Sequence, residues 1–233
     1  DKGGAQGTHK ALYCDIDGHF PNHHPNPVDP ETLESLREQV GAMGADCGIG
    51  FDGDGDRIGL VDSKGRQIAG DILTAFLATD ILTRNPGADI IFDVKSSALA
   101  MQIVRDAGGT PHLWKTGHSH MKQKLHETGA PLAGEMSGHI FIADGDYGFD
   151  DALYVASRLV TQIAKRTAET GMSITDFMDS LPETFTTPEC RIDCPDTEKF
   201  GVMARLSEAV SNDHAPDSVN LTDGVRVTTS KGW

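Results

Sequence analysis

Between residues 70 and 167, short apolar runs alternate with helix-length stretches, and glycine, proline or asparagine marks most changes. Residues 72–82 read as a helix that Asn85-Pro86-Gly87 breaks. Residues 90–94 read as a strand, 97–107 as a helix stopped by Gly108-Gly109, 112–114 as a strand and 119–127 as a helix. Two short apolar runs, 132–133 and 139–142, bracket a glycine-containing turn. A long helix over 150–167 and a shorter one over 173–180, with Ser173 as cap, close the series. Strands separated by helices pair in parallel, because the helix is the crossover that brings the chain back. The expected fold class is therefore α/β, with mixed, mainly parallel sheets and flanking helices.

The flanks are thinner. A weak strand is expected near 11–14, then a proline-rich stretch over 20–27 that cannot be helical. Asp29 caps a helix that has Pro30 at its first position, Leu33, Leu36 and Val40 on its apolar face, and Gly41 and Gly44 at its end. Residues 47–51 read as a short buried strand, and 58–61 and 67–69 as a hairpin. After Pro182, residues 185–193 read as a strand, 196–210 as a helix and 225–229 as a strand. This places three units at 1–66, 67–178 and 179–233. The first and last look too small to close cores, as if cut from a longer protein.

Charge narrows the function classes. Twenty basic against 35 acidic residues leave a net charge of −15, which disfavours non-specific nucleic-acid binding. No run approaches the roughly 18 apolar residues of a membrane span. The four cysteines, at 14, 47, 190 and 194, have no zinc-ribbon spacing and read as free thiols of a reducing cytoplasm.

Residues 51–57 read Phe-Asp-Gly-Asp-Gly-Asp-Arg. Alternation in an extended segment would point Asp52, Asp54 and Asp56 to one side. Three convergent carboxylates repel unless a cation sits among them, and oxygen-only ligands suit Mg²⁺ or Ca²⁺. Arg57 adds a planar fork suited to phosphate. An EF-hand is disfavoured: its sixth position would be Arg57 rather than glycine and its twelfth Ser63 rather than glutamate.

Residues 134–139 read Gly-Glu-Met-Ser-Gly-His. Glu135 and Ser137 alternate, so both can face one pocket and read hydroxyl groups. His139 can move a proton near neutral pH. Residues 115–120 read Lys-Thr-Gly-His-Ser-His, with Gly117 and His118 at a helix entrance, a natural anion site. Lys95 follows the 90–94 strand at another carboxyl edge. His19, His23 and His24 lie among prolines and read as loop rather than metal tract.

Together these motifs resemble the α-D-phosphohexomutases, and within them the bacterial phosphomannomutase/phosphoglucomutase group. Residues 52–57 resemble its metal loop, 134–139 its sugar loop with the methionine of the hexose enzymes, and 117–119 a third signature; 17–25 resemble a further segment. The resemblance implies a four-domain enzyme, with 1–66 the rest of the second domain, 67–178 the third and 179–233 the start of an α+β fourth. It implies interconversion of mannose or glucose 1- and 6-phosphates through a phosphoserine and a hexose 1,6-bisphosphate. Mg²⁺ would sit on Asp52, Asp54 and Asp56, with Arg57 on the phosphoryl group and His139 as general acid/base. Glu135 and Ser137 would read sugar hydroxyls, and Lys95, Thr116, Gly117 and His118 would contact substrate. The serine's Thr-Ala-Ser-His-Asn-Pro loop does not occur in the sequence, so the chain alone is expected to be inactive. A phosphoglucosamine mutase and a non-catalytic metal- or phosphosugar-binding module are the alternative readings.

Overall fold

The computed structural model describes residues 7–187, 190, 192–215, 218–230 and 232–233. Helices and sheets alternate along the chain, so the α/β reading holds, with parallel and antiparallel pairings mixed.

A 3₁₀ turn (Pro30–Leu33) leads into α1 (Glu34–Met43). As expected, the Asp29 carboxylate caps this entry, accepting the Glu31 amide. Gly41 lies inside α1, and Gly44 alone ends it. Strands β1 (Cys47–Phe51), β2 (Ile58–Asp62) and β3 (Gln67–Ile68) form an antiparallel sheet in that order. β1 is an edge strand, and its Phe51 end is exposed rather than buried.

The second sheet has the order β5-β4-β6-β7. β4 (Asp89–Asp93) pairs in parallel with β5 (Thr110–Trp114) and β6 (Leu132–Gly134), and β7 (Ile140–Ile142) returns antiparallel to β6. The chain leaves β4 through α3 (Ala98–Asp106) to one side. It then returns from β5 through α4 (His118–Thr128) to the other. Right-handed crossovers in opposite directions put α3 and α4 on opposite faces. The strand order thus reverses at β4 and β6, and ligands of such sheets gather beyond the carboxyl ends of the strands at that point.

The strand residues divide accordingly. Ile90, Phe92, Leu132, Ile140 and Ile142 join the main core with α2 (Gly70–Arg84), α5 (Ala152–Thr170) and α6 (Ile174–Ser180). Ile91, Ala133 and Phe141 face Met121 and Leu125 of α4. This period-two segregation is what a sheet covered on both faces requires. Ile58 and Leu60 of β2 enter the same main core, while Val61 on the opposite side packs on Leu33 and Val40. The first sheet therefore sits against the helices of the second on one face and covers a small cluster of its own with α1 on the other.

Three further expectations fail. Residues 11–14 form no strand, and of residues 185–193 the described ones are irregular; 188, 189 and 191 lie outside the described residues. Phe185 and Ile192 are exposed there, so nothing rewards strand formation. Third, the metal-loop segment is not extended: it is the turn of an antiparallel hairpin, as detailed below. The C-terminal stretch contains α7 (Lys199–Asp213) and a short hairpin of β8 (Val219–Asn220) with β9 (Arg226–Val227).

β6 ends in Gly134 because α2 lies too close for a side chain. A Cβ there would stand 1.9 Å from the Thr74 hydroxyl. Gly134→Ala is expected to destabilise the fold by about 1–3 kcal/mol through overpacking, read as a lower denaturant midpoint with an unchanged slope.

Candidate functional site

The Asp52 carboxylate organises the aspartate loop. Its Oδ1 accepts the amides of Gly55, Asp56 and Arg57 at 2.9, 3.1 and 3.2 Å. Its Oδ2 accepts Arg57 Nε at 2.8 Å. Gly55, at φ +77°, supplies the left-handed step that lets three successive amides turn inward. The three carboxylates are thus gathered by a curled turn, not by strand alternation. Asp52, Asp54 and Asp56 each place one oxygen within 4.8 Å of the others.

The electrostatics of the triad are uneven. Burial by itself would raise the Asp52 carboxyl, but the hydrogen bonds and charge of Arg57 win and hold it at about 2. Asp56 moves the other way: burial and the neighbouring Asp52 and Asp54 carboxylates raise it, against the pull of His139. Crowded like charges are the signature of a site that a cation would relieve.

The sugar-loop motif meets this turn through the backbone. Arg57 and His139 form an antiparallel bridge, and the Ile58 amide donates to the Gly138 carbonyl at 3.1 Å. Gly138 has φ +92°, and a Cβ on it would lie 2.5 Å from the Ile58 carbonyl oxygen. Only glycine permits both the conformation and the approach.

His139 is consequently enclosed by acceptors. Its Nδ1 lies 2.7 Å from Ser137 Oγ and 3.1 Å from Glu135 Oε2, and its Nε2 lies 3.4 Å from Asp56 Oδ2. Burial would lower the imidazole, but Glu135 first, then Asp56 and Asp150, raise it above its usual value. The Glu135 side chain is only 2% exposed and also accepts the Gly117 amide at 2.6 Å and the Ser137 hydroxyl at 3.0 Å. Those bonds outweigh its burial and lower its carboxyl. Most of its acceptor capacity is thus used by protein donors, so Glu135 organises Gly117, Ser137 and His139 whatever else it binds.

The remaining sequence candidates surround this centre. Gly117 precedes α4 as its N-cap and His118 opens the helix. The His118 ring stacks on His139 with centroids 6.1 Å apart, and its Nδ1 is 3.6 Å from Asp150 Oδ2. Thr116 turns its amide to Asp223 Oδ2 at 3.0 Å. Lys95 follows β4 at the same sheet edge, beside the buried Asp93. Burial pushes the Asp93 carboxyl up to about 6, with the Glu135 charge assisting.

Sequence reasoning missed several groups. Asp150, expected at the start of a helix, joins Asp56 and His139 in a second cluster, and Asp151 caps α5. Asn26 braces Arg57 by accepting its Nη1 at 3.1 Å. Asp93 and Asp223 were also passed over. A lone carboxylate or amide carries no pattern of its own; only its neighbours in space identify it. None of the histidines at 19, 23 and 24 joins a metal-like cluster among the described residues.

Residues 69–185 match the phosphoglucomutase/phosphomannomutase alpha/beta/alpha domain III, and residues 4–65 match domain II. The chain belongs to the phosphoglucomutase/phosphomannomutase family. It is 46% identical over 224 residues to a phosphomannomutase/phosphoglucomutase of Pseudomonas putida, covering 95% of this chain and 47% of that protein. It is 39% identical over 223 residues to a phosphoglucomutase of Neisseria gonorrhoeae, at the same coverages of 95% and 47%. Among solved structures it is similar to a phosphoglucomutase/phosphomannomutase family protein of Burkholderia thailandensis. There the TM-score is 0.82 at 44% identity, covering 93% of this chain and 44% of that one. The chain thus spans about half the length of the curated relatives it matches.

Two titrations check the electrostatics. In the metal-free protein, NMR should show His139 titrating above 6.5, with Glu135→Gln bringing it down. Its stabilising contribution is full below pH 6.5 and lost as pH rises through the raised folded value. The contribution of Asp52 is full above pH 3.8 and lost as pH falls toward about 2. Asp52→Asn should therefore flatten the acid limb of a melting-temperature profile below pH 4.

Proposed function

We propose that the whole protein containing this chain is a phosphohexomutase that interconverts the 1- and 6-phosphates of mannose and glucose through a hexose 1,6-bisphosphate. The reading rests above all on one junction. The aspartate triad with its arginine and the Glu135–Ser137–His139 loop meet where His139 Nε2 and Asp56 Oδ2 stand 3.4 Å apart. A phosphoryl-handling half and a proton- and hydroxyl-handling half are what such a transfer requires at one place.

The donor set fits Mg²⁺: three carboxylate oxygens within 4.8 Å, one of them fixed as an anion and one raised by its neighbours. Held by Asp52, Asp54 and Asp56, the ion would neutralise charge that develops as phosphoryl passes between oxygens. Arg57, braced by Asp52 and Asn26, presents the rest of its guanidinium to the phosphoryl group. His139 gives or takes the proton of the sugar hydroxyl, tuned by Glu135. Ser137, with Glu135 behind it, reads ring hydroxyls. Lys95, Thr116, Gly117 and His118 receive the substrate's phosphate at the carboxyl edge of the second sheet, at the reversal of strand order and beside the N-terminus of α4.

In this reading 1–66 belong to a second domain carrying the metal loop, 67–178 are a third carrying the sugar loop, and 179–233 open a fourth. The serine that carries the phosphoryl group lies outside the sequence given. The same reading places the protein in the cytoplasm. Among the described residues, no helix is long and apolar enough to cross a membrane.

The test is conversion of mannose 1-phosphate and glucose 1-phosphate by the whole protein in the presence of Mg²⁺. Turnover of neither sugar sinks the proposal. His139→Ala in that protein should slow turnover roughly 10²–10⁴-fold; an unchanged rate reassigns His139 to structure. The 233-residue chain by itself should show no turnover.

A further inference from the structure

Among the described residues, Arg226 of β9 is the one buried lysine or arginine, 6% exposed. Burying a guanidinium is costly unless its protons are satisfied. Here its hydrogen-bond partners are not carboxylates, and its buried Nε has none among the described residues. Nη1 donates to the Val94 and Ser96 carbonyls, the latter at 2.7 Å, and those two residues flank Lys95 in sequence. The Trp233 ring covers the guanidinium at 3.8 Å from Cζ to centroid.

The turn that Arg226 grips is also tied from within. Ser96 Oγ donates to Asp93 Oδ1 at 2.6 Å, and the Ser96 amide donates to the Asp93 carbonyl at 3.0 Å. Three residues before Arg226, Asp223 takes the Thr116 amide at 3.0 Å. The hairpin tip that presents Asp223 is set by Asn220 Oδ1 accepting the Thr222 amide at 2.8 Å. One hairpin therefore holds both strand-end loops, the one after β4 with Lys95 and the one after β5 with residues 116–118. A hairpin that needed anchoring alone could use apolar contacts; a buried cation with carbonyl partners fixes backbone geometry instead.

We propose that Arg226 is a positioning residue: by gripping the carbonyls on either side of Lys95, it sets the strand-end turn that offers Lys95 to the substrate's phosphate, and with Asp223 on Thr116 it keeps the two phosphate-facing loops in register. The inference rests on the reading of Lys95 as a substrate contact. Arg226 itself touches no substrate; it acts through Lys95.

A double-mutant cycle in the whole protein tests it, with KM and kcat measured for mannose 1-phosphate. Lys95→Ala and Arg226→Ala should each raise KM about tenfold, the scale of one charge-assisted hydrogen bond, with a smaller change in kcat. The double variant should stand no more than about threefold above the worse single one, because both remove the same contact. Independent structural damage would instead multiply to about a hundredfold and overturns the inference. Arg226→Lys, which keeps a donor for the same carbonyls, should show a smaller rise in the same direction. It carries the cycle if the alanine variant does not fold. A protein sensitive to Lys95→Ala but indifferent to both Arg226 substitutions overturns this inference alone. A whole protein with no mutase turnover, or one indifferent to Lys95→Ala, overturns the functional reading beneath it as well.

Discussion

The structure depends on a backbone junction. The Arg57–His139 bridge and the bond from the Ile58 amide to the Gly138 carbonyl join an antiparallel sheet to a mainly parallel one. The aspartate triad, Arg57, Glu135, Ser137 and His139 all lie within a few residues of that seam. A Cβ at position 138 would strike the Ile58 carbonyl oxygen, so the seam closes only around glycine. Behind it, Ile58 and Leu60 enter the core shared with α2 and α5, which leaves the first sheet little freedom to slide. The precision of a site is inherited from rigid elements around it, and here both elements belong to one packed body.

Around the seam, charge does the organising. Asp52, Asp56, Glu135 and Asp150 crowd Arg57 and His139, and the acceptors outnumber the donors. The result is a polarised pair of carboxyls in one loop, Asp52 held low and Asp56 raised, beside an imidazole that favours its charged form. Such divergence between neighbouring titratable groups in one cluster marks the loop as a functional-site candidate. The overall charge of −15 sets no such pattern; the local arrangement does.

Much of the fold was legible because helices and strands announce themselves by period. The 72–82, 97–107 and 119–127 helices lie within or beside α2, α3 and α4, and Ser173 caps α6 with Asp176 completing the reciprocal bond. Short motifs were legible for the same reason: alternating aspartate and glycine, or Gly-Glu-Met-Ser-Gly-His, are local patterns. The failures lie where local preference meets no partner, as at Phe185 and Ile192, whose exposure gives a strand nothing to bury. The reason assigned to the aspartate loop also failed. Its carboxylates converge because Asp52 captures three amides of its own turn, an arrangement that alternation does not encode.

By itself the sequence determined the class of fold and the three motifs, since these depend on neighbours within a few positions. Tertiary structure decided the rest. It set the 3.4 Å approach of His139 to Asp56, drew Asp150 and Asn26 into the centre, and turned Glu135 toward Gly117. It also laid Arg226 against carbonyls 130 and 132 positions away. The physical reason is range. Hydrogen bonding and period act along the chain and leave a trace in it, whereas burial and charge act through space, between residues whose separation in sequence carries no information about their distance.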